Sequence, residues 1–412
     1  MSNKSFSPVF NSYLIYIGVA IASGGVALYT PIIVSETGQH FSGFWAASIL
    51  FSLNLGRVLG SYLGSRFPIA SNHPFSVAGN ILLEGIALYF MAYLQQAWAL
   101  SVFALFAGLG SGLSFPGLKN YLLKLKDIDQ SSLFSRLAFA IRIGLVGGYL
   151  TASWVPHHSL QIVFLIVLIT FILYGIFMLI AMRAIARNEA PSIPHATPTS
   201  TARNEQIATP NQPPKAQLPL MFYLSNAVFW CFAVQPMIGF SLHIPKYTPD
   251  IPVSTPFWIA ALIIIIFQIP ISRMAVHTRQ HFRFLQIAYV CLFLSFSIML
   301  LFNRSSTAVI LSAVLLSFAQ VFYGPSLDVL TARFADKVAA DTGQLMSKQM
   351  LYQSMGNMVG SLAGGVLFDL AQHVKLPAVN WLLLALSSLW MAILSANKIP
   401  NLYREAGRYQ KT

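Results

Sequence analysis

Residues 159–182 read SLQIVFLIVLITFILYGIFMLIAM, twenty-four positions without one charged side chain. A helix rises about 1.5 Å per residue, so this run reaches about 36 Å. The hydrocarbon layer of a bilayer is about 30 Å thick, and inside it every backbone polar group needs a partner within the segment. The run therefore predicts a transmembrane helix.

Similar runs lie on both sides of it. The apolar pattern predicts twelve spans: 8–33, 43–64, 74–94, 97–118, 133–153, 159–182, 218–243, 255–272, 284–302, 307–327, 345–369 and 378–396. Composition agrees. Of 412 residues, 56% are hydrophobic and 9% are charged, against about 25% charged in a soluble domain. Too few charges exist to cover a water-facing surface of this size. The fold class is thus all-α integral membrane. Lys4 is followed directly by the first apolar run with no small-residue cleavage site, so that run reads as a retained helix. Cys231 and Cys291 both sit in apolar runs, which gives no support to a disulfide, CxxC chemistry or a thiolate cluster.

A net charge of +13 would suggest nucleic acid in a soluble protein, but its placement argues for topology. With the N-terminus inside, nineteen Lys and Arg fall on the inner side and only Lys246, Arg304 and Lys375 on the outer side. Cytoplasmic loops accumulate such residues. Both termini and the central segment are expected in the cytoplasm, with the lipid bilayer and not nucleic acid as the partner.

That central segment, 183–217, is rich in Pro, Thr, Asn and Gln (PSIPHATPTS, IATPNQPPKAQ) and has no core-forming run. It predicts a mostly disordered cytoplasmic linker between a six-helix bundle over 1–182 and another over 218–397, with a cytoplasmic tail over 398–412. Three echoes relate the halves. GSYLGSRF ends the second span and QIPISRMA the eighth. GSGLSFPG, around Pro116, answers AQVFYGPS, around Pro325. Gly144 and Gly148 in the fifth span answer Gly356, Gly360 and Gly364 in the eleventh. The offsets are 207, 209 and 216 residues. Two related bundles with pseudo-twofold symmetry are the architecture of many secondary transporters. Small residues four apart also let helices approach closely, for packing or for gating where the halves meet.

With these residues in place, the chain resembles the major facilitator superfamily, specifically bacterial twelve-helix proton-coupled efflux transporters. The resemblance is carried by LMFYLSNAVFWCFAVQPMIGFSLHIP at the seventh helix, IPISRMAVHTRQHFRFLQIA between the eighth and ninth, and YGPSLDV through GGVLFDL over the tenth and eleventh. The family's signature after helix two is only partly kept. Ser61, Ser65 and Arg66 occupy its positions, and its Asp and following basic cluster are absent. Helix five keeps Gly144, Gly147 and Gly148 of the exporter signature but lacks its proline. The closer match is Gly356, Gly360, Ser361, Gly364 and Gly365 in helix eleven. The arginine expected in helix four is missing, and Arg142 in helix five is the candidate for its electrostatic place.

Ionisable groups in the hydrocarbon layer are costly and usually functional. Glu84, midway along the third span, is the first candidate for proton coupling or a buried ion pair, because burial favours the neutral form of a carboxyl group. Arg142 and Arg57 are candidate partners for Glu84 or for an anionic cargo. Arg136 is expected to snorkel. Asp328 is a further coupling candidate, with a structural pairing to Arg333 or Lys337 the competing role. Glu36 is expected solvated in the first outer loop, and Asp369 falls at the outer end of helix eleven. The resemblance implies a central cavity lined from helices one, four, seven and ten, with Tyr13, Tyr16, Asn226, Trp230, Gln235, Gln320 and Tyr323 as candidates. Helix–helix bonding is the competing role for each.

The implied function is a secondary active transporter exporting a drug-like compound or metabolite by proton antiport. Export of an anionic metabolite such as a carboxylate siderophore, proton-coupled nutrient import and a non-transporting receptor or assembly factor are the alternatives. No HExxH, Walker loop or GxSxG elbow occurs, and His157, His158, His277 and His281 form no metal-ligand pattern. An enzyme is not expected, nor a metal or other cofactor. The protein is expected to act as a monomer in the bacterial inner membrane.

Overall fold

The computed structural model describes residues 8–67, 73–123, 130–154, 160–188, 220–277, 281–338 and 342–397. The tail over 398–412, the His157–His158 pair and the linker from 189 onward lie outside them. Thirteen helices run α1 Pro8–His40, α2 Gly43–Arg66, α3 Pro74–Met91, α4 Ala97–Leu123, α5 Gln130–Trp154, α6 Leu160–Asn188, α7 Leu220–Ala233, α8 Gln235–Tyr247, α9 Thr255–His277, α10 His281–Leu301, α11 Ser306–Val338, α12 Thr342–His373 and α13 Ala378–Asn397. α7 and α8 together make the seventh span, so the helices form twelve spans.

Several ends differ from the apolar pattern. α1 continues to His40, seven residues beyond its expected end. Val34, Ser35 and Thr37 of this extension are buried within the protein, and Gln39 and His40 are exposed at its end. Gln39 donates to Ser35 at 3.1 Å. Glu36 lies 3.5 Å from His40 with its own side chain mostly covered. Glu36 is thus a helical residue, not one in a solvated loop. α6 runs to Asn188, so residues 183–188 are helix rather than linker. Arg183 there lies 4.1 Å above the Phe75 ring of α3, an arrangement in which the apolar stem stays in the bundle and the charge meets an aromatic face. Eleven segments are long and apolar enough to span a membrane. The remaining span, α12, carries Lys348, Gln349, Gln353 and Asn357 and packs among α2, α7 and α8.

Packing repeats between halves. α2 packs on α4 as α9 packs on α11, α3 on α4 as α10 on α11, α3 on α6 as α10 on α13, and α1 on α5 as α7 on α12. Across the halves, α2 meets α12 and α5 meets α9, which is one contact seen twice under the pseudo-twofold axis. Each half holds its own apolar core. Ile238 and Leu242 of α8 join the first core, and Ala27 and Tyr149 join the second.

The two ends of the bundle differ. The end carrying the 92–96 and 248–254 connections is poor in charge, and the opposite end carries Arg66, Lys119, Arg183, Arg273 and Arg283. At the charge-poor end the halves are closed on each other. Residues 27–35 of α1 are buried all round, as is nearly all of 235–244 in α8. Asp369 of α12 accepts hydrogen bonds from the Gly43 and Phe44 amides of α2 at 2.7 and 2.8 Å. Ser153 of α5 and Ser254 before α9 share a hydrogen bond of 2.7 Å. At the basic end of α1, by contrast, Tyr13 is 50% exposed.

Candidate functional site

Two places bring chemistry-bearing residues together. The first lies inside the amino-terminal half. Glu84 of α3 is 4% exposed and is the only buried acidic side chain among the described residues. The polar groups that act on it are the Ser111 hydroxyl of α4 and the Arg57 guanidinium of α2. No described carboxylate comes within 4 Å of Arg57, so the two attract without an ion-pair contact. Tyr29 of α1 and Tyr174 of α6 are buried near the same carboxyl group. Glycines set this spacing. Gly110 brings α4 so close that a methyl group there would stand 2.9 Å from the Glu84 amide nitrogen.

The second place is a crevice of about 160 Å³ between the halves. Arg142, Leu145 and Tyr149 of α5 form one wall. Phe240 and Met237 of α8, Phe257 and Ile264 of α9, and Leu316 and Gln320 of α11 form the others. The break in the seventh span faces it through Ala233 and Pro236. Pro236 has no amide hydrogen, which ends the regular ladder of α7. Broken helices of this kind mark binding sites in many transporters.

The expected cavity residues divide by role. Gln320 lines the crevice. Tyr13 is exposed at the basic end, and Trp230 is half-buried with its ring perpendicular to that of Phe229, ring centres 5.7 Å apart. The other four are spent on packing. The Tyr16 hydroxyl donates to the Leu133 carbonyl at 3.3 Å. The Asn226 amide donates to the Gln349 carbonyl at 2.8 Å. Tyr323 is buried and stacked on Phe229 with ring centres 3.5 Å apart. Gln235 donates to the carbonyls of Cys231 and Gly360 at 3.0 and 2.8 Å, clamping the broken span to α12. Gln235→Leu removes both bonds. Interhelical side-chain bonds in membranes average about 0.6 kcal/mol and reach about 1.7, so the expected loss is about 1–3 kcal/mol, read as a lower thermal midpoint in detergent. An unchanged midpoint would remove the clamp.

Asp328 accepts from the Gln349 amide at 2.7 Å, and Gln349 accepts from Thr331 at 2.8 Å. This places Asp328 in an α11–α12 tie. Arg136 is exposed at the basic end. His281 is buried at the start of α10. Gly144 and Gly148 lie against the α1 backbone at Ala20 and Gly24. Gly356 and Gly360 lie against the α7 backbone at Ala227 and Cys231, and Gly364 against Gln235. Both sets therefore serve the same contact in the two halves. The glycines at the half–half seam are others: Gly43 and Gly365 face each other across it. Among the described residues, no three His, Cys, Asp or Glu side chains gather as a metal site.

The sequence pattern described as the Major Facilitator Superfamily matches residues 13–347. The chain belongs to that superfamily. It is a multi-pass membrane protein and a secondary-active small-molecule transporter, not an enzyme. Multidrug resistance protein MdtH of Proteus mirabilis (strain HI4320) is 25% identical over 358 residues, covering 82% of this chain and 83% of the relative. MdtH of Escherichia coli O157:H7 is 24% identical over 337 residues, covering 80% and 78%. Among solved structures, tetrameric PepTSo2 matches with a TM-score of 0.70 at 12% identity, covering 97% of this chain and 100% of that one. The nucleoside transporter NupG matches with a TM-score of 0.68 at 15% identity, covering 94% and 98%. These structural likenesses concern the fold, which the superfamily shares across cargo types.

Proposed function

We propose that this member of the superfamily exports a small drug-like or metabolic compound from the bacterial cytoplasm in exchange for protons, with Glu84 as the proton-binding group. The observation that carries the reading is the buried Glu84 carboxyl group facing an arginine with which it makes no direct ion pair. Its charged form is held by Arg57 and Ser111, and its neutral form suits its burial. Each state therefore has something in its favour. Proton uptake removes the attraction to Arg57, and Arg57 is carried by α2, the helix that meets α12 across the seam. A change of charge in one half is thus placed to alter the contact between halves.

The excess of basic residues at one end supports placing that end, with both termini, in the cytoplasm. The closed charge-poor end then corresponds to an inward-facing, cargo-loading state. The relatives' designation as multidrug resistance proteins supports the outward direction. One chain contains both halves and serves as the functional unit.

The test is flux in sealed proteoliposomes under an imposed proton gradient, with a panel holding a lipophilic cation, a neutral drug and a carboxylate. Gradient-driven movement of at least one compound is expected, falling to the protein-free rate in Glu84→Gln and persisting in Glu36→Gln. Movement that survives Glu84→Gln removes Glu84 from the coupling path. No movement of any compound counts against the exporter reading itself.

A further inference from the structure

We infer that the crevice between the halves is a binding site for a small carboxylate with an apolar, ring-sized body, and that Arg142 is its anion-binding group. The inference rests on the transporter reading and names a cargo class for it.

Arg142 is half-buried on α5 and faces the crevice. It makes no hydrogen bond or ion pair with any described residue. A guanidinium group stays charged when buried and presents paired donors matched to a carboxylate. A charge at membrane depth is costly and normally has a partner. Glu84 does not fill that role, because the cation acting on it is Arg57. Among the described residues no acidic one lines the crevice, so a cationic ligand would meet Arg142 uncompensated, while an anion completes the site.

The remaining walls select the rest of the ligand. Tyr149, Phe240 and Phe257 present aromatic surface, and Ile264 and Leu316 extend the apolar lining. The Tyr149 hydroxyl and Gln320 are the other polar groups of the lining, and either can bond a ring substituent. A volume of about 160 Å³ equals on the order of five waters. That suits one substituted ring better than a multi-ring drug. Arg142 comes from one half and most of the apolar wall from the other, so the ligand would touch both. Any relative movement of the halves then changes its affinity, as alternating access requires.

The experiment uses full-length protein in nanodiscs of uncharged lipid and three probes of similar shape: benzoate, benzamide and benzylammonium. Binding is read by calorimetry and by the thermal midpoint. Benzoate is expected to bind and to raise the midpoint, with the neutral and cationic probes weaker by at least about tenfold. Arg142→Gln is expected to weaken benzoate roughly tenfold to a hundredfold, the range for a lost bond to a charged group. Arg142→Lys should retain part of the affinity, since it keeps the charge and loses the paired donors. Ala260→Leu narrows the crevice without touching the charge and should also weaken benzoate. It decides the matter if Arg142→Gln does not fold. Benzoate binding that is absent, equal to benzamide, or indifferent to both Arg142→Gln and Ala260→Leu overturns the inference. Proton-driven flux of another compound, measured in sealed proteoliposomes made from the same purified protein, separates the failures. If flux persists while benzoate fails, the carrier reading stands and this cargo class falls.

Discussion

Replacing Asp369 with alanine is expected to open the charge-poor end of the transporter. The carboxylate is carried by α12, and its two partners are the first amides of α2, which belongs to the other half. Those amides have no partner within α2, and the helix dipole adds attraction for a negative group. Ser42 satisfies the Trp45 amide at 3.3 Å, so no other side chain needs to replace Asp369 for the helix to start. Hydrogen bonds to a charged group contribute about 1.5–3 kcal/mol when shielded. This seam is only half-buried, so about 1 kcal/mol for each bond is the better scale. Losing both is then worth about 2 kcal/mol, or about thirtyfold in the ratio of closed to open states. The readout is the distance between spin labels at Phe41→Cys and Val374→Cys, exposed sites on opposite halves, in a background lacking Cys231 and Cys291. A longer-distance population should grow in Asp369→Ala. An unchanged distribution would show that the seam is held by Gly43–Gly365 packing and the Ser153–Ser254 bond without the carboxylate.

What made the fold legible was solvent: a lipid-facing helix must be apolar along its length, so 159–182 declares itself. The same logic blurs where protein replaces lipid. The last turns of α1 are polar where α8 and α2 cover them, and α12 is polar because it runs between the halves. Glu84 stood out because a carboxyl group in an apolar run has few bland explanations. Its neighbours Ser111, Tyr29 and Tyr174 did not, since their relevance depends on how three other helices cross α3. The roles of Gln235 and Asn226 were hidden for a related reason. An amide in a span serves equally well as a cavity donor or as a helix clamp, and only the position of α12 carbonyls decides between them. Asp369 and Gly43 are 326 residues apart, and no local pattern joins them. The tight contact of α2 with α4 was readable in principle, because Gly56 and Gly60 face Gly108 and Gly112 at the four-residue spacing of close-packed membrane helices.

That contact carries the second large effect. A methyl group on Gly112 would overlap the Arg57 carbonyl oxygen and stand 2.9 Å from both the Arg57 carbonyl carbon and the Ser61 nitrogen. These are backbone atoms, so no rotamer relieves the clash and α2 must move away from α4. Overpacking costs about 1–3 kcal/mol, more than the roughly 1 kcal/mol by which alanine favours a helix over glycine. Gly112→Ala should therefore lower the thermal midpoint. Gly147→Ala, where nothing lies within 4 Å, should leave it unchanged or raise it. The displaced segment also carries Arg57, so Gly112→Ala should weaken gradient-driven flux beyond its effect on stability. Flux and midpoint read on one preparation, at a temperature well below both midpoints where each protein is folded, separate the two consequences: a flux loss that persists there is carried by the displaced Arg57. Flux losses in Gly112→Ala that track the midpoint alone would mean that the α2–α4 seam supports the fold without setting the charge geometry.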